Sequence, residues 1–334
     1  MAAMGFSLSA LGRSQVPIQR APARAAVGGV YASLDDLSVL EMAARDFSFL
    51  PRQPVHSILA GRHGSRVRGR GLAFEELRPY LPGDDIRTMD WRATARMGKP
   101  YVRVYTEEKD RPALVVVDQR INMFFGTRRA MKSVVAAEAA ALCAWRILAV
   151  GDRIGGWVLN DERLDEVRPA RSRAAVTRLL EVVVEQNNAL RADSTAKRNS
   201  SQLNAALEAV ARVADHDHLV IVISDFDGQD ERTRDLLLGL SLHNDVIAML
   251  IYDPFLFELP SAGDLVVSDG ELQVELPFGT GPVRKRLAEA VDTRLRALLD
   301  WRGAIGVPVL PISSAEPTAD QLRKLLGQLV GRRG

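Results

Sequence analysis

A single cysteine, Cys143, stands among 334 residues, so no disulfide can close within the chain and a reducing compartment is the expectation. It falls in an Ala-rich helical stretch, "VVAAEAAALCAWRILAV", where a small buried thiol is the ordinary outcome. Histidine is almost as scarce. The five (His56, His63, His216, His218, His243) make no zinc spacing, and the His-x-His pair at 216 and 218 reads as turn residues at the mouth of a strand. No uninterrupted apolar run reaches the roughly 18 residues of a membrane span. The longest candidate, 134–150, is broken by Glu138 and Arg146. The first residues lack the charged start, apolar block and cleavage site of a secretion signal. A net charge of +2 implies nucleic acid only through a local patch. The Gly- and Arg-rich "GRHGSRVRGRGLAF" (61–74) has no Lys-Ser or Lys-Thr pair and is therefore no phosphate loop. These absences predict a soluble cytoplasmic protein with no membrane span.

What is present is ordinary in bulk, 47% hydrophobic and 26% charged residues in a length suited to one large or two modest domains. Residues 1–30 read as a disordered tail, rich in Ala, Gly and Pro without apolar period. Ser33 is a good N-cap, Asp35 and Asp36 suit a first turn, and Leu34, Leu37, Leu40 and Ala44 share one helical face. "PYVRVYTEE" alternates as a half-exposed strand. From residue 113 the pattern changes. "ALVVVD", "HLVIVISD" and "DVIAMLIYD" are short continuous apolar runs, as in strands buried on both faces. Helical patterns lie between them, at 128–150, 172–190 and 202–214, with "RIGGWVLN" as a further strand. "DLVVSDGELQVEL" reads as a hairpin turning at Asp269-Gly270, a pair suited to a type I′ turn. A charged helix (282–303), the strand "VPVLPIS" and a last helix follow.

Strands alternating with helices predict an α/β fold, a doubly wound and mostly parallel sheet. In such sheets ligands bind at the carboxyl ends of the strands, where the winding reverses. Asp118, Asp225, Asp227 and Asp253 fall at those ends.

The stretch "RPYLPGDDIRTMDWRATAR" (78–96) admits three readings. As an enzyme it would use Asp84, Asp85 and Asp90, but no His, Cys or Lys lies in it to act as base or partner. As a nucleic-acid surface it would use its arginines with Arg62, Arg66, Arg68 and Arg70, but the interleaved carboxylates oppose phosphate. As a lattice, Arg forks pair with Asp and stack on Trp91 and Tyr80, while Pro82-Gly83 turns the chain. The lattice is the favoured reading, whether structural or a surface for a partner.

The segment 68–110 resembles the signature of the bacterial domain of unknown function 58 family, with Arg78, Tyr80, Gly83, Asp84, Asp85, Arg87, Asp90, Trp91 and Arg96 in it. "LVVVDQRINMFFG" and "LVIVISDFDG" lie where that family carries a von Willebrand factor A-like domain. The resemblance implies a helix and signature region over 31–110 and a von Willebrand A-like α/β domain over 111–332. It implies no enzymatic activity. It implies instead a protein-interaction adaptor that works with a MoxR-type AAA+ ATPase and its client in assembling or maturing a complex.

Such domains often hold a divalent ion through Asp-x-Ser-x-Ser, a middle-loop Thr and a later Asp. The corresponding positions here are Asp118, Arg120, Asn122, Ser201 and Asp225. Arginine offers no lone pair to a metal, so Arg120 is expected to set its charge against Asp118 and Asp225 in place of an ion, with no cofactor needed. Magnesium held by Asp118, Asn122, Ser201 and Asp225 remains the alternative, which makes a metal-dependent binding protein the second function and a metal-dependent hydrolase the third. Arg120, Asn122 and Asp227 are the expected partner contacts.

Overall fold

The computed structural model describes residues 29–46, 72–107, 112–191, 197–256, 264–268, 273–277, 293 and 295–330. The chain divides into two compact units, one of residues 1–51 with 112–334 and one of residues 52–111. The expected tail falls almost wholly outside the described residues, as does most of the stretch 61–74.

In the larger unit the first helix, α1 (Leu34–Ala43), starts at Ser33, whose hydroxyl accepts from Asp36 N. The central sheet contains β3 (Ala113–Asp118), β4 (Ile154–Leu159), β5 (Leu164–Ala170), β6 (Leu219–Ser224), β7 (Asp245–Tyr252) and β10 (Val309–Ser313). Their spatial order is β10-β7-β6-β3-β4-β5. All pairings are parallel except β4 with β5. Counted along the chain this is the 3-2-1-4-5-6 order of a doubly wound sheet, with the winding reversing between β3 and β6. The α/β fold implied by the von Willebrand A-like resemblance is therefore present.

Alternation along each strand explains the layers. Leu114 and Val116 of β3 face one core with Val220 and Val222 of β6, while Val115 and Val117 face the other with Ile221 and Ile223. Helices α3 (Lys132–Ala149) and α4 (Arg173–Ala189) contribute to the second core, and α5 (Ser201–Ala211) and α6 (Glu231–Ser241) to the first. The short α7 (Trp301–Ile305) joins the first, and α8 (Thr318–Val330) the second.

Two expectations need correction, and one strand was unforeseen. Helix α1 was grouped with the charged signature, yet Leu37 is buried in the α/β core and Trp145 Nε1 donates to Leu37 O. Its apolar stripe is covered by α3 and α4. Strand β5, "LDEVRPA", carried no strand signal because it is an antiparallel edge with only Val167 buried. The hairpin of β8 (Asp264–Ser268) and β9 (Gln273–Pro277) pairs Ser268 with Gln273, so four residues separate the strands and not the two of a type I′ turn.

In the smaller unit, β1 (Leu72–Pro79) pairs antiparallel with β2 (Tyr101–Glu107). Between them lie a turn, a 3-10 segment Ile86–Thr88 and the short helix α2 (Trp91–Met97). Asp84 N donates to Leu81 O across Pro82-Gly83, and Gly83 has φ +107, which is the backbone of a type II turn.

Candidate functional site

The carboxyl ends of β3 and β6 meet at the reversal of the sheet, and the two aspartates of the ion pattern meet there with them. Asp118 is fully buried and Arg120 is 2% exposed. Arg120 Nη2 lies 2.7 Å from Asp118 Oδ2 and its Nε lies 3.0 Å from Oδ1, a forked pair. Arg120 N and Ser224 Oγ also donate to the same carboxylate. Arg120 Nη2 reaches on to Asp227 O. Burial opposes the guanidinium charge, but Asp118, with Asp225 and Asp161 further off, raises its pKa above the ordinary arginine value.

Asp225 has its own cation. Lys132 Nζ, at the first residue of α3, lies 2.5 Å from Asp225 Oδ2. Asn122 Nδ2 and Asp227 N donate to Oδ1. Burial raises the Asp225 carboxyl, but Lys132, by charge and hydrogen bond, then the Asp227 amide and Asn122, outweigh it and hold it at about 2. The turn that presents this residue is strained. Phe226 has φ +54 although it is no glycine, and its buried ring packs edge-on against Trp301 at 5.2 Å. Gly228 follows at φ +73, where a Cβ would come within 2.5 Å of Ser200 Cβ.

A divalent ion of the magnesium class needs about six oxygen ligands. Here the two carboxylates that would supply the negative charge already hold an Arg and a Lys. Asn122 turns its amide nitrogen, not its oxygen, toward Asp225, contrary to the ligand role considered for it. Ser201 is exposed and donates to Asn199 Oδ1. Among the described residues, no group of three His, Cys, Asp or Glu side chains gathers as a metal site does. The donor set does not fit the ion.

Two further carboxylates organise the same edge. Asp253, fully buried, accepts from Thr127 N and Oγ1, Phe255 N and Ser314 Oγ. Burial raises its pKa, and these donors outweigh that and lower it. Asp161 accepts from Ile121 N at 2.7 Å and Asn199 N at 2.8 Å, joining three loops. Sequence reasoning singled out neither Lys132 nor Asp161. Lys132 did leave a signal: a cation at a helix N-terminus opposes the helix dipole, and it is tolerated where an acid partner compensates. Asp161, in an Asn-Asp loop, left none.

The expected partner contacts separate on exposure. Asn122 and Asp227 are half-buried, but Arg120 is enclosed and offers nothing to a partner. Its guanidinium is drawn inward by an uncompensated buried carboxylate, a stronger pull than any solvent-exposed role.

In the smaller unit, Arg–Asp pairs of the kind expected of the signature occur, and no arginine stacked on Tyr80 or Trp91 is found among the described residues. Arg78 forks onto Asp84 at 2.7 and 2.8 Å, and Leu81 N donates to Asp84 as well. The Arg78 hydrogen bond first, then that of the Leu81 amide, lower the Asp84 pKa and outweigh desolvation, which raises it. Asp85 caps the 3-10 segment by accepting from Arg87 N. Asp90 caps α2 through Arg92 N and Ala93 N, and its other oxygen takes Arg103 Nε at 2.8 Å. Tyr80 N donates to Pro100 O. Arg87, Trp91 and Arg96 stand exposed, Trp91 at 66%. Asp90 therefore answers Arg103 from β2, because the helix cap aims its second oxygen at the strand.

Relatives of similar length exist. The uncharacterized protein Rv1480 of Mycobacterium tuberculosis is 29% identical over 278 residues, covering 82% of this chain and 84% of that protein. The uncharacterized protein Mb1516 of Mycobacterium bovis matches to the same extent. Among solved structures, BatB from Bacteroides thetaiotaomicron is similar over 66% of this chain and 97% of its own, with 10% identity and a TM-score of 0.37. A von Willebrand factor type A protein from Catenulispora acidiphila is similar over 69% of this chain and 45% of its own, with 9% identity and a TM-score of 0.33. The family model described as protein of unknown function DUF58 matches residues 76–296, more than half of the sequence, and the chain belongs to that family.

Proposed function

We propose that this protein is a non-catalytic adaptor that docks a protein partner on the carboxyl edge of its six-stranded sheet. The partner proposed is a MoxR-type AAA+ ATPase together with its client, in the assembly or maturation of a complex in the cytoplasm. The observation that carries the reading is the commitment of Asp118, Asp225 and Asp253, each held by internal donors at the edge where a doubly wound sheet places its ligands. A hydrolase there would need a carboxylate or hydroxyl free to act on water, and these carboxylates are spent on holding loops. The loops they hold present Phe125, Thr127, Arg128 and Gly228 to solvent around half-buried Asn122 and Asp227, a mixed rim of the kind protein interfaces use. Among the described residues, no helix is long and apolar enough to cross a membrane. The ATPase is proposed from the family resemblance.

The test is co-purification with the tagged full-length chain. Asp227→Arg and Phe125→Asp should each remove a AAA+ ATPase or its client from the eluate while circular dichroism stays unchanged. Full recovery of every partner by both folded variants would place the interface elsewhere.

A further inference from the structure

Beside the buried charge pairs, a separate small cleft opens at the same edge of the sheet. It has a volume of about 140 Å³ and is lined by Ile121, Asp161, Glu162, Gln186, Leu190 and Arg191, among others. That is well below the roughly 300 Å³ of sites that take drug-sized ligands, so its occupant is a single chemical group.

Gln186 is fully buried, yet no donor among the described residues reaches its Oε1. The amide cannot be turned round to cure this. Its Nε2 donates to Val158 O at 3.0 Å and Asp165 Oδ2 at 2.8 Å, both of which only accept. A buried acceptor left open calls for a donor that the described residues do not supply. The surroundings favour a charged one. Glu162 supplies an exposed carboxylate, and Asp161, whose two oxygens also take the Ile121 and Asn199 amides, adds a second negative charge beside Arg191. Residues Ala189 and Leu190 end α4, a helix of 17 residues with no basic residue in its last turn, so its negative pole lies beside the cleft.

We infer that this cleft receives a basic side chain, an arginine, of the protein partner. Several acceptors at different angles suit the planar five-donor guanidinium better than the compact ammonium of lysine. The polarity is the reverse of a metal-centred surface. Where a bound ion would grip a partner's carboxylate, this edge encloses its own cations and offers acceptors to the partner's. The occupant's identity rests on the docking edge proposed above, but binding of the group itself does not.

The experiment titrates N-acetyl-arginine-N-methylamide into the isotope-labelled full-length protein, with the lysine and glutamate counterparts as comparisons. It follows the Gln186 side-chain amide and the Ile121 and Leu190 backbone amides by NMR. The arginine compound should give saturable shifts with a dissociation constant on the order of millimolar, lysine should bind more weakly and glutamate not at all. Asp161→Asn combined with Glu162→Gln should weaken binding by about tenfold or more, the effect of a lost charge-assisted contact. Because Asp161 also holds loop amides, Glu162→Gln alone, at an exposed position, provides a second variant that keeps the fold. It should weaken binding by a few-fold.

Absence of saturable shifts, or equal shifts in wild type and variants, would overturn the inference. So would a crystal grown with the arginine compound in which Gln186 Oε1 meets only water. If arginine binds but the Asp161 and Glu162 variants retain every partner, the partner's arginine is not the occupant. Loss of partner in Asp227→Arg with arginine binding intact bears on the docking edge alone.

Discussion

Arg120 and Asp118, two residues apart in the chain, face each other across 2.7 Å with side-chain exposures of 2% and 0%. A pair so enclosed is held by its geometry, because each charge lost its water when the loop closed. Arg120→Ala should therefore destabilise the larger unit by about 3–5 kcal/mol, since it leaves a buried carboxylate without its cation. Urea unfolding would measure this. The double variant Arg120→Ala with Asp118→Asn should recover a large part of the loss, and strictly additive losses would show that the pair is not coupled.

The Lys132–Asp225 pair predicts an acid limit. The Asp225 carboxyl sits at about 2 in the folded protein, below its usual 3.8. A lowered carboxylate pKa adds stability that is fully present above the unfolded value and disappears as the pH falls through the folded one. The contribution is on the order of 2 kcal/mol, present above about pH 5 and lost between about pH 4 and 2. Urea midpoints at pH 7, 4 and 3 should fall more steeply in the wild type than in Asp225→Asn. Parallel profiles would contradict the assignment.

Ion binding should be absent in the native chain and obtainable by design. Calorimetry with magnesium, manganese and calcium should give no dissociation constant tighter than about millimolar, the weak end of protein calcium sites. Replacing Arg120 and Asn122 by Ser and Lys132 by Ala frees both carboxylates and adds two hydroxyls. That variant should bind manganese measurably more tightly. A micromolar native site abolished by Asp118→Ala would reverse the conclusion.

In the smaller unit, Gly83→Ala tests the turn. No atom lies within 4 Å of where the new Cβ would sit, so the cost comes from φ +107 alone, about 1 kcal/mol. Hydrogen exchange at Asp84 N, bonded to Leu81 O, should accelerate several-fold while amides of β3 and β6 keep their protection. Asp90→Ala should accelerate exchange more widely, at Ala93 and Thr94, because the cap and the tie to Arg103 are lost together.

The fold was legible wherever a single element carried its own instructions. Strands β3, β6 and β7 are apolar on successive residues because they are covered on both faces, and that pattern is local. Ser33 capped α1 as its chemistry required, and Pro82-Gly83 turned the chain. Strand β5 was not legible, because an edge exposes most of its residues and keeps no apolar alternation.

At the site, the sequence determined that an arginine and not a serine would stand two residues after Asp118, because that arrangement is local. Only the tertiary structure decided that Lys132, 93 residues from Asp225, would neutralise the second carboxylate. It also decided that Asp161 would join loops from β3 and α5, and that Gln186, buried with its carbonyl oxygen unpartnered among the described residues, would line a cleft. Local order follows from propensity, periodicity and caps within a few residues. Pairing of buried charges depends on which loops the winding of the sheet brings to one edge, and nothing within any one loop records it.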